Sequence, residues 1–170
     1  MANPLRVNAA ELLRRPGTEK LIDLHVTVAD LGIDDERFRP TDAVHVRLRL
    51  ESLTDGIMVA GEVVSTWHTT CRRCAMPAEG ELRCEVDERY QETVTDPDAF
   101  PLEGAQLDLE PMAREVVVLD APIAALCRVD CAGLCPECGT DLNTGSCSCN
   151  PTSSDPRWSA LDQLKGTLGD

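Results

Sequence analysis

Residues 127–149 carry six of the nine cysteines: Cys127, Cys131, Cys135, Cys138, Cys147 and Cys149. At their centre stands Cys135-Pro136-Glu137-Cys138-Gly139. A C-x2-C of this kind brings two thiolates onto one ion, and the following glycine lets the backbone turn beneath the second sulfur without a Cβ clash. A second pair, Cys71-Arg72-Arg73-Cys74, lies upstream. Eight sulfurs make two sets of four, and Zn²⁺ in structural sites takes four ligands in a tetrahedron. One set pairs Cys71 and Cys74 with Cys127 and Cys131, tying distant parts of the chain together. The other joins Cys135 and Cys138 to Cys147 and Cys149. C-x-C is tighter than ordinary zinc spacing, so Cys131 could replace one member of that last pair. Two structural zincs per chain are expected, with metal-binding free energy serving as folding free energy.

Other sulfur chemistries fit less well. Arginines flanking Cys71-x-x-Cys74 would lower a thiol pKa, as in a redox dithiol. Redox dithiols of that type sit between a strand and a helix, whereas both flanks here read as strand. Cys131-x3-Cys135-x2-Cys138 has the spacing of the radical-SAM cluster motif, but only 32 residues follow Cys138, too few for the barrel that accompanies it. His25 and His45 fall on polar strand faces and read as solvent-exposed. His68, near Cys71, is the one histidine placed to be a spare ligand, and reads more simply as packing or hydrogen-bonding nearby. No Gly-rich phosphate loop, G-x-S-x-G or H-E-x-x-H occurs. A tetrahedron closed by sulfur leaves no position for a reactive water, so no enzyme activity is expected.

The elements that must hold these sulfurs follow from periodicity. Asn8 and Glu11 suit a capping box opening a short helix through Arg15, stopped by Pro16-Gly17. Residues 21–28 alternate, with Ile22, Leu24, Val26 and Val28 on one face, and predict a half-buried strand. Residues 34–40 read as charged loop. Val44, Val46, Leu48 and Leu50 alternate with His45, Arg47 and Arg49, and Asp55-Gly56 marks a turn. Residues 44–70 thus predict a hairpin ending at Cys71. A further strand carries Leu82, Cys84, Val86 and Tyr90 on its apolar face, which makes Cys84 a small buried hydrophobe. Residues 92–108 read as an acidic loop. Asp108 and Pro111 favour a helix over 109–119 with Leu109, Met112, Ala113, Val116 and Val117 on one face, although Val116-Val117-Val118 equally suits a strand. After a polar hinge at 150–155, Trp158, Leu161 and Leu164 recur at helical spacing.

The formal net charge is −14, and residues 51–110 supply −10 of it. That argues against a polybasic nucleic-acid binder and favours a basic partner docked on the acidic region. Residues 1–17 contain no apolar run of signal-peptide length, and no 18-residue apolar stretch occurs, so a cytoplasmic protein without membrane contact is expected. Abundant cysteine in a reducing compartment implies metal or redox chemistry rather than disulfides.

In order along the chain come C-x-R-C at the end of a β region, an acidic loop, Arg114-Glu115, and Leu126-Cys127. Cys131-x-Gly133-Leu134-Cys135-Pro136-x-Cys138-Gly139, Asp141-Leu142-Asn143 and Cys147-x-Cys149 follow, and Asp155-Pro156-Arg157-Trp158 with Leu161 and Leu164-Lys165 closes the set. As an ordered set these motifs resemble the YceD family, the large ribosomal RNA subunit accumulation proteins of bacteria and plastids. The resemblance implies a non-catalytic role in accumulating or processing 23S ribosomal RNA and in building the large subunit. With −14 charge, contact with rRNA should be indirect, through a basic ribosomal protein or large-subunit assembly factor. A zinc-ribbon interaction module in another machine, such as transcription, is the alternative, and a C-x-x-C thiol redox protein the third reading. The expected fold is α+β: a small antiparallel β-sheet with packed helices over 1–122, a cysteine-rich zinc-binding tail at 123–150, and a short helix at 151–170.

Overall fold

The structure, a computed structural model, describes residues 4–149 together with 157 and 161. The helix expected around Trp158 lies outside the described residues. The chain runs β1 (Arg6–Asn8), α1 (Ala10–Leu13), β2 (Glu19–Thr27), a 3₁₀ turn at Val28–Leu31, β3 (Ala43–Ser52), β4 (Ile57–Thr70), β5 (Pro77–Gln91), β6 (Phe100–Pro101), β7 (Gln106–Asp108) and α2 (Glu110–Asp120). Strands β2 to β5 form an antiparallel meander, with β6 added in parallel at the edge of β5.

The alternation of the sequence sets this sheet. On β3, Val44, Val46, Leu48 and Leu50 are buried while His45, Arg47, Arg49 and Glu51 face outward. Ile22 and Val26 of β2, Val59 and Val63 of β4, and Leu82, Cys84 and Val86 of β5 continue the same inner face. Each such aliphatic side chain contributes about 1.5–3 kcal/mol on burial. Helix α2 covers this face, packing on β4, β5 and the 3₁₀ turn through buried Met112, Ala113 and Val117. Pro111 stands in its first turn, and the Glu110 amide donates to Asp108 Oδ1 at 3.1 Å. Cys84 is fully buried, and burial pushes its thiol up to about 12, with Asp120 adding to the effect.

Two local readings need correction, and a third gains a role. The first helix spans Ala10–Leu13 and not through Arg15, and Asn8 ends a strand, although its Oδ1 still accepts the Ala10 amide at 2.9 Å. That strand, β1, pairs antiparallel with β7 inside what reads as an acidic loop, and buries Leu5, Val7, Leu107 and Leu109. Segment 34–40 is the charged loop that its composition predicts, and it also works as a clasp. Arg37 donates to the Val118 and Ala121 carbonyls at 3.3 and 2.8 Å and pairs with Asp35 at 2.7 Å. Carbonyls at the end of α2 lack helical partners, and a guanidinium satisfies them and suits the negative helix end. The Arg37 hydrogen bond in turn holds the Asp35 carboxyl below its ordinary range. Among the described residues no helix is long and apolar enough to cross a membrane.

Candidate metal centres

Strand β4 ends at Thr70 and β5 begins at Pro77, and residues 71–76 turn between them as a knuckle. The Cys71 amide donates to the Met76 carbonyl at 2.7 Å, and the Ala75 amide to the Cys71 carbonyl at 2.8 Å. Residues 135–140 repeat the pattern: Cys135 N–H to Thr140 carbonyl at 2.8 Å, and Gly139 N–H to Cys135 carbonyl at 2.9 Å. In both knuckles the residue after the second cysteine is left-handed, Ala75 at φ 59° and Gly139 at φ 73°. Glycine takes that conformation freely, whereas alanine is strained there by about 1–2 kcal/mol, offset in part by its smaller unfolded-state entropy. Ala75 is exposed and Gly139 has open space around its Cα, so packing does not mask the effect. Ala75→Gly should therefore stabilise the protein by about 0.5–1 kcal/mol and Gly139→Ala destabilise it by a similar amount. Denaturant midpoints of the metal-loaded variants check this, and shifts of the same sign would contradict it.

The first knuckle meets the tail. The Arg72 amide donates to the Ala125 carbonyl at 3.0 Å, the Leu134 amide to the Arg73 carbonyl at 3.0 Å, and Arg73 Nη1 to the Cys131 carbonyl at 2.9 Å. A small apolar cluster of Cys71, Cys74, Ala78, Ala125 and Cys131 forms there, with Trp67 and Leu126 against it. The sulfurs of Cys71, Cys74, Cys127 and Cys131 all lie within 4.8 Å of one another, and so do those of Cys135, Cys138, Cys147 and Cys149. These are the two sets of the first partition, and Cys131 stands with Cys71 rather than in the local set. Cys71 and Cys131 sulfurs are 3.8 Å apart, those of Cys74 and Cys127 3.6 Å. Four sulfurs each about 2.3 Å from Zn²⁺ would be separated by about 3.8 Å, so the first set fits a tetrahedral ion. All nine thiols are free of disulfides.

The protonation pattern suits a cation. The Cys71 thiol is lowered to about 6, first by the backbone amide of Cys127 and then by those of Arg73 and Cys74. Its neighbour Cys127 is pushed up to about 12 by lost hydration and by the adjacent sulfurs. In the second set the Thr140 hydroxyl, 3.1 Å from the Cys138 sulfur, lowers that thiol to about 6, while Cys138 in turn drives Cys149 up to about 12. One thiolate in each set forms readily, and the neighbouring sulfurs oppose ionisation of Cys127 in the first set and Cys149 in the second. A divalent ion would remove that opposition and let all four sulfurs ionise.

Asn143 is a residue whose role its type does not signal, although it stands in the Asp141-Leu142-Asn143 motif. Its Oδ1 accepts from Arg128 and from the Ala132 amide, each at 2.8 Å. Its Nδ2 donates to Asp141 Oδ1 at 2.7 Å and lies 3.6 Å from the Cys131 sulfur. It stands in the loop of the second set and hydrogen-bonds a sulfur of the first, so it links the two geometrically.

The rival chemistries lose their setting. Cys71-x-x-Cys74 joins two antiparallel strands rather than a strand and a helix. Cys131 and the Cys135–Cys138 pair belong to different sets, so the radical-SAM spacing does not describe one cluster. His68 is not a ligand of the first set: its ring nitrogens lie 3.1 Å from Asp42 and 3.1 Å from Glu79.

A sequence model of the family described as Large ribosomal RNA subunit accumulation protein YceD matches residues 59–165, from β4 through both sulfur sets. An uncharacterized protein of Mycobacterium tuberculosis is 31% identical over 180 aligned residues, covering 100% of this chain and 86% of that protein. An uncharacterized protein of Mycobacterium leprae is 30% identical over 152 residues, 84% of this chain and 69% of that protein. The Zea mays protein named large ribosomal RNA subunit accumulation protein YCED homolog 1, chloroplastic, is 33% identical over 96 residues, 56% of this chain and 28% of its own length. No solved structure matches.

Proposed function

The chain belongs to the family of large ribosomal RNA subunit accumulation protein YceD, and from that membership we propose that it is a non-catalytic cytoplasmic factor supporting 23S rRNA accumulation and large-subunit assembly. The family match over residues 59–165 carries the reading. Two structural zinc ions, one in each sulfur set, complete the protein: each closed set of four thiolates supplies shape and leaves no position for substrate.

Its partner is a basic ribosomal protein or assembly factor, and rRNA contact is indirect. The charge on the outer face of the sheet supports this choice and narrows it. Glu81 pairs with Arg83 at 2.7 Å, and Arg83 reaches Glu62 at 3.5 Å, so part of the strip is compensated internally. Among the described residues no cation pairs with Glu85 or Asp87 within ion-pair distance. Asp87, Glu88, Asp96 and Asp98 line one hollow with Met58, Arg89 and Ala99. Burial, with Glu115, Asp87 and Asp98 nearby, raises the Glu88 carboxyl above its ordinary value. A cationic surface docked there would relieve that crowding.

Depletion of the protein should lower the ratio of 50S to 30S particles and raise unprocessed 23S precursor, and a normal ratio would remove the ribosomal role. Reversing Glu79, Glu81, Glu85 and Asp87 to lysine should weaken co-sedimentation with pre-50S particles while leaving the zinc count unchanged. Unaltered co-sedimentation would reject the docking surface and leave the ribosomal role standing.

A further inference from the structure

The outer face of β2 and β3 holds a cluster that neither sulfur set uses. In the register of these strands His25 stands directly opposite His45, and Asp23 opposite Arg47. The two imidazoles stack, with centroids 4.0 Å apart and planes 19° from parallel. His45 Nε2 hydrogen-bonds Asp23 Oδ1 at 2.7 Å, and His25 Nε2 lies 3.9 Å from the same oxygen. One ligand atom from each of the three residues lies within 4.8 Å of the others.

We propose that Asp23, His25 and His45 form a third metal site, taking a divalent ion of the zinc, nickel and copper group. Imidazole nitrogen and carboxylate oxygen are the donors such ions prefer. Bonds of about 2.0–2.2 Å in a tetrahedral site place neighbouring ligand atoms about 3.4 Å apart. The 2.7 and 3.9 Å separations lie either side of that spacing, and turning the stacked imidazoles about their side-chain bonds, so that both in-plane lone pairs point at one ion, completes the set. The backbone is held by nine consecutive cross-strand pairs between β2 and β3. Strand β2 is the edge of the sheet, and the Asp23 and His25 side chains are 68% and 73% exposed, which opens the site to solvent. The cation that would oppose a metal, Arg47 beside Asp23, is bonded to Glu62 on the far side. Three protein ligands leave one tetrahedral position for water, unlike the closed sulfur sets.

Equilibrium dialysis of the full-length chain against Zn²⁺ tests this, with metal counted per chain. The wild type should bind one saturable equivalent more than the His25→Ala/His45→Ala double variant. Either single alanine should weaken that extra equivalent by at least about tenfold, because losing a group that merely supports a ligand already costs about 10–100-fold. His68→Ala, outside the cluster, should leave it intact. The three residues are on the solvent side of the sheet, so the fold is retained, as circular dichroism would verify. Equal metal counts in wild type and double variant overturn the site, whatever the sulfur sets bind.

Discussion

Replacing Cys131 by serine is expected to remove one zinc per chain and to release residues 123–149 from the β4–β5 knuckle. Cys131 is 1% exposed, and its sulfur stands 3.8 Å from that of Cys71 across a gap of sixty residues in sequence. The apolar cluster that contains it is small, five buried residues counting Cys131 itself, with Trp67 and Leu126 against them. Such a cluster cannot replace the metal, because structural zinc in small domains contributes roughly 10–16 kcal/mol of folding free energy. That matches or exceeds the total stability of an ordinary domain, about 5–15 kcal/mol. The sheet has its own core, from Leu5 to Ala121, and should remain folded. Amide exchange should therefore accelerate at Arg72 and Leu134, which bond across the junction, while β3 stays protected. Retention of two zincs, or unchanged exchange at those amides, would show that the tail is held by packing alone.

Tyr90→Ala is the second large effect, at about 3–5 kcal/mol. The chain has one tyrosine, and aromatics are 3% of the sequence, so few side chains can refill the space. Tyr90 is 1% exposed and stacks on Phe100 at a centroid distance of 5.2 Å. Its hydroxyl donates to the Asp108 carbonyl at 3.0 Å, which fastens β5 to the end of β7 just before α2. Gly56, in the β3–β4 turn, lies so close that a Cβ there would collide with the Tyr90 carbonyl. At about 2–4 °C per kcal/mol for a chain of this size, Tyr90→Ala should lower the Tm by on the order of 10 °C. Tyr90→Phe keeps the ring and removes one hydrogen bond, and should cost about 1 kcal/mol. Thermal unfolding followed by circular dichroism separates the two. Equal shifts would place the effect in the hydroxyl rather than the buried ring.

The sequence by itself determined the parts whose cause is local. A sheet with one buried face forces a period of two, so β2, β3, β4 and β5 are legible in the order of their valines and leucines. A C-x2-C turn forms among near neighbours, so both knuckles are legible, and burial of Cys84 follows from its place in the alternation. Helix α2 announces itself through Asp108 and Pro111. Tertiary structure decided the rest, because those contacts depend on register and on closure of distant segments. Three-residue strands such as β1 and β7 are too short to show a period, and each exists only because the other is there. Arg37 reads as one charge in a charged loop until α2 ends beside it with open carbonyls. Asn143 and the grouping of Cys131 with Cys71 rest on the tail folding back across the first knuckle. His25 and His45 each look like an outward polar residue, and the β2–β3 register alone stacks them over one carboxylate. Spacing along a chain fixes which atoms can meet within a turn, but pairing between strands fixes which atoms meet across the molecule.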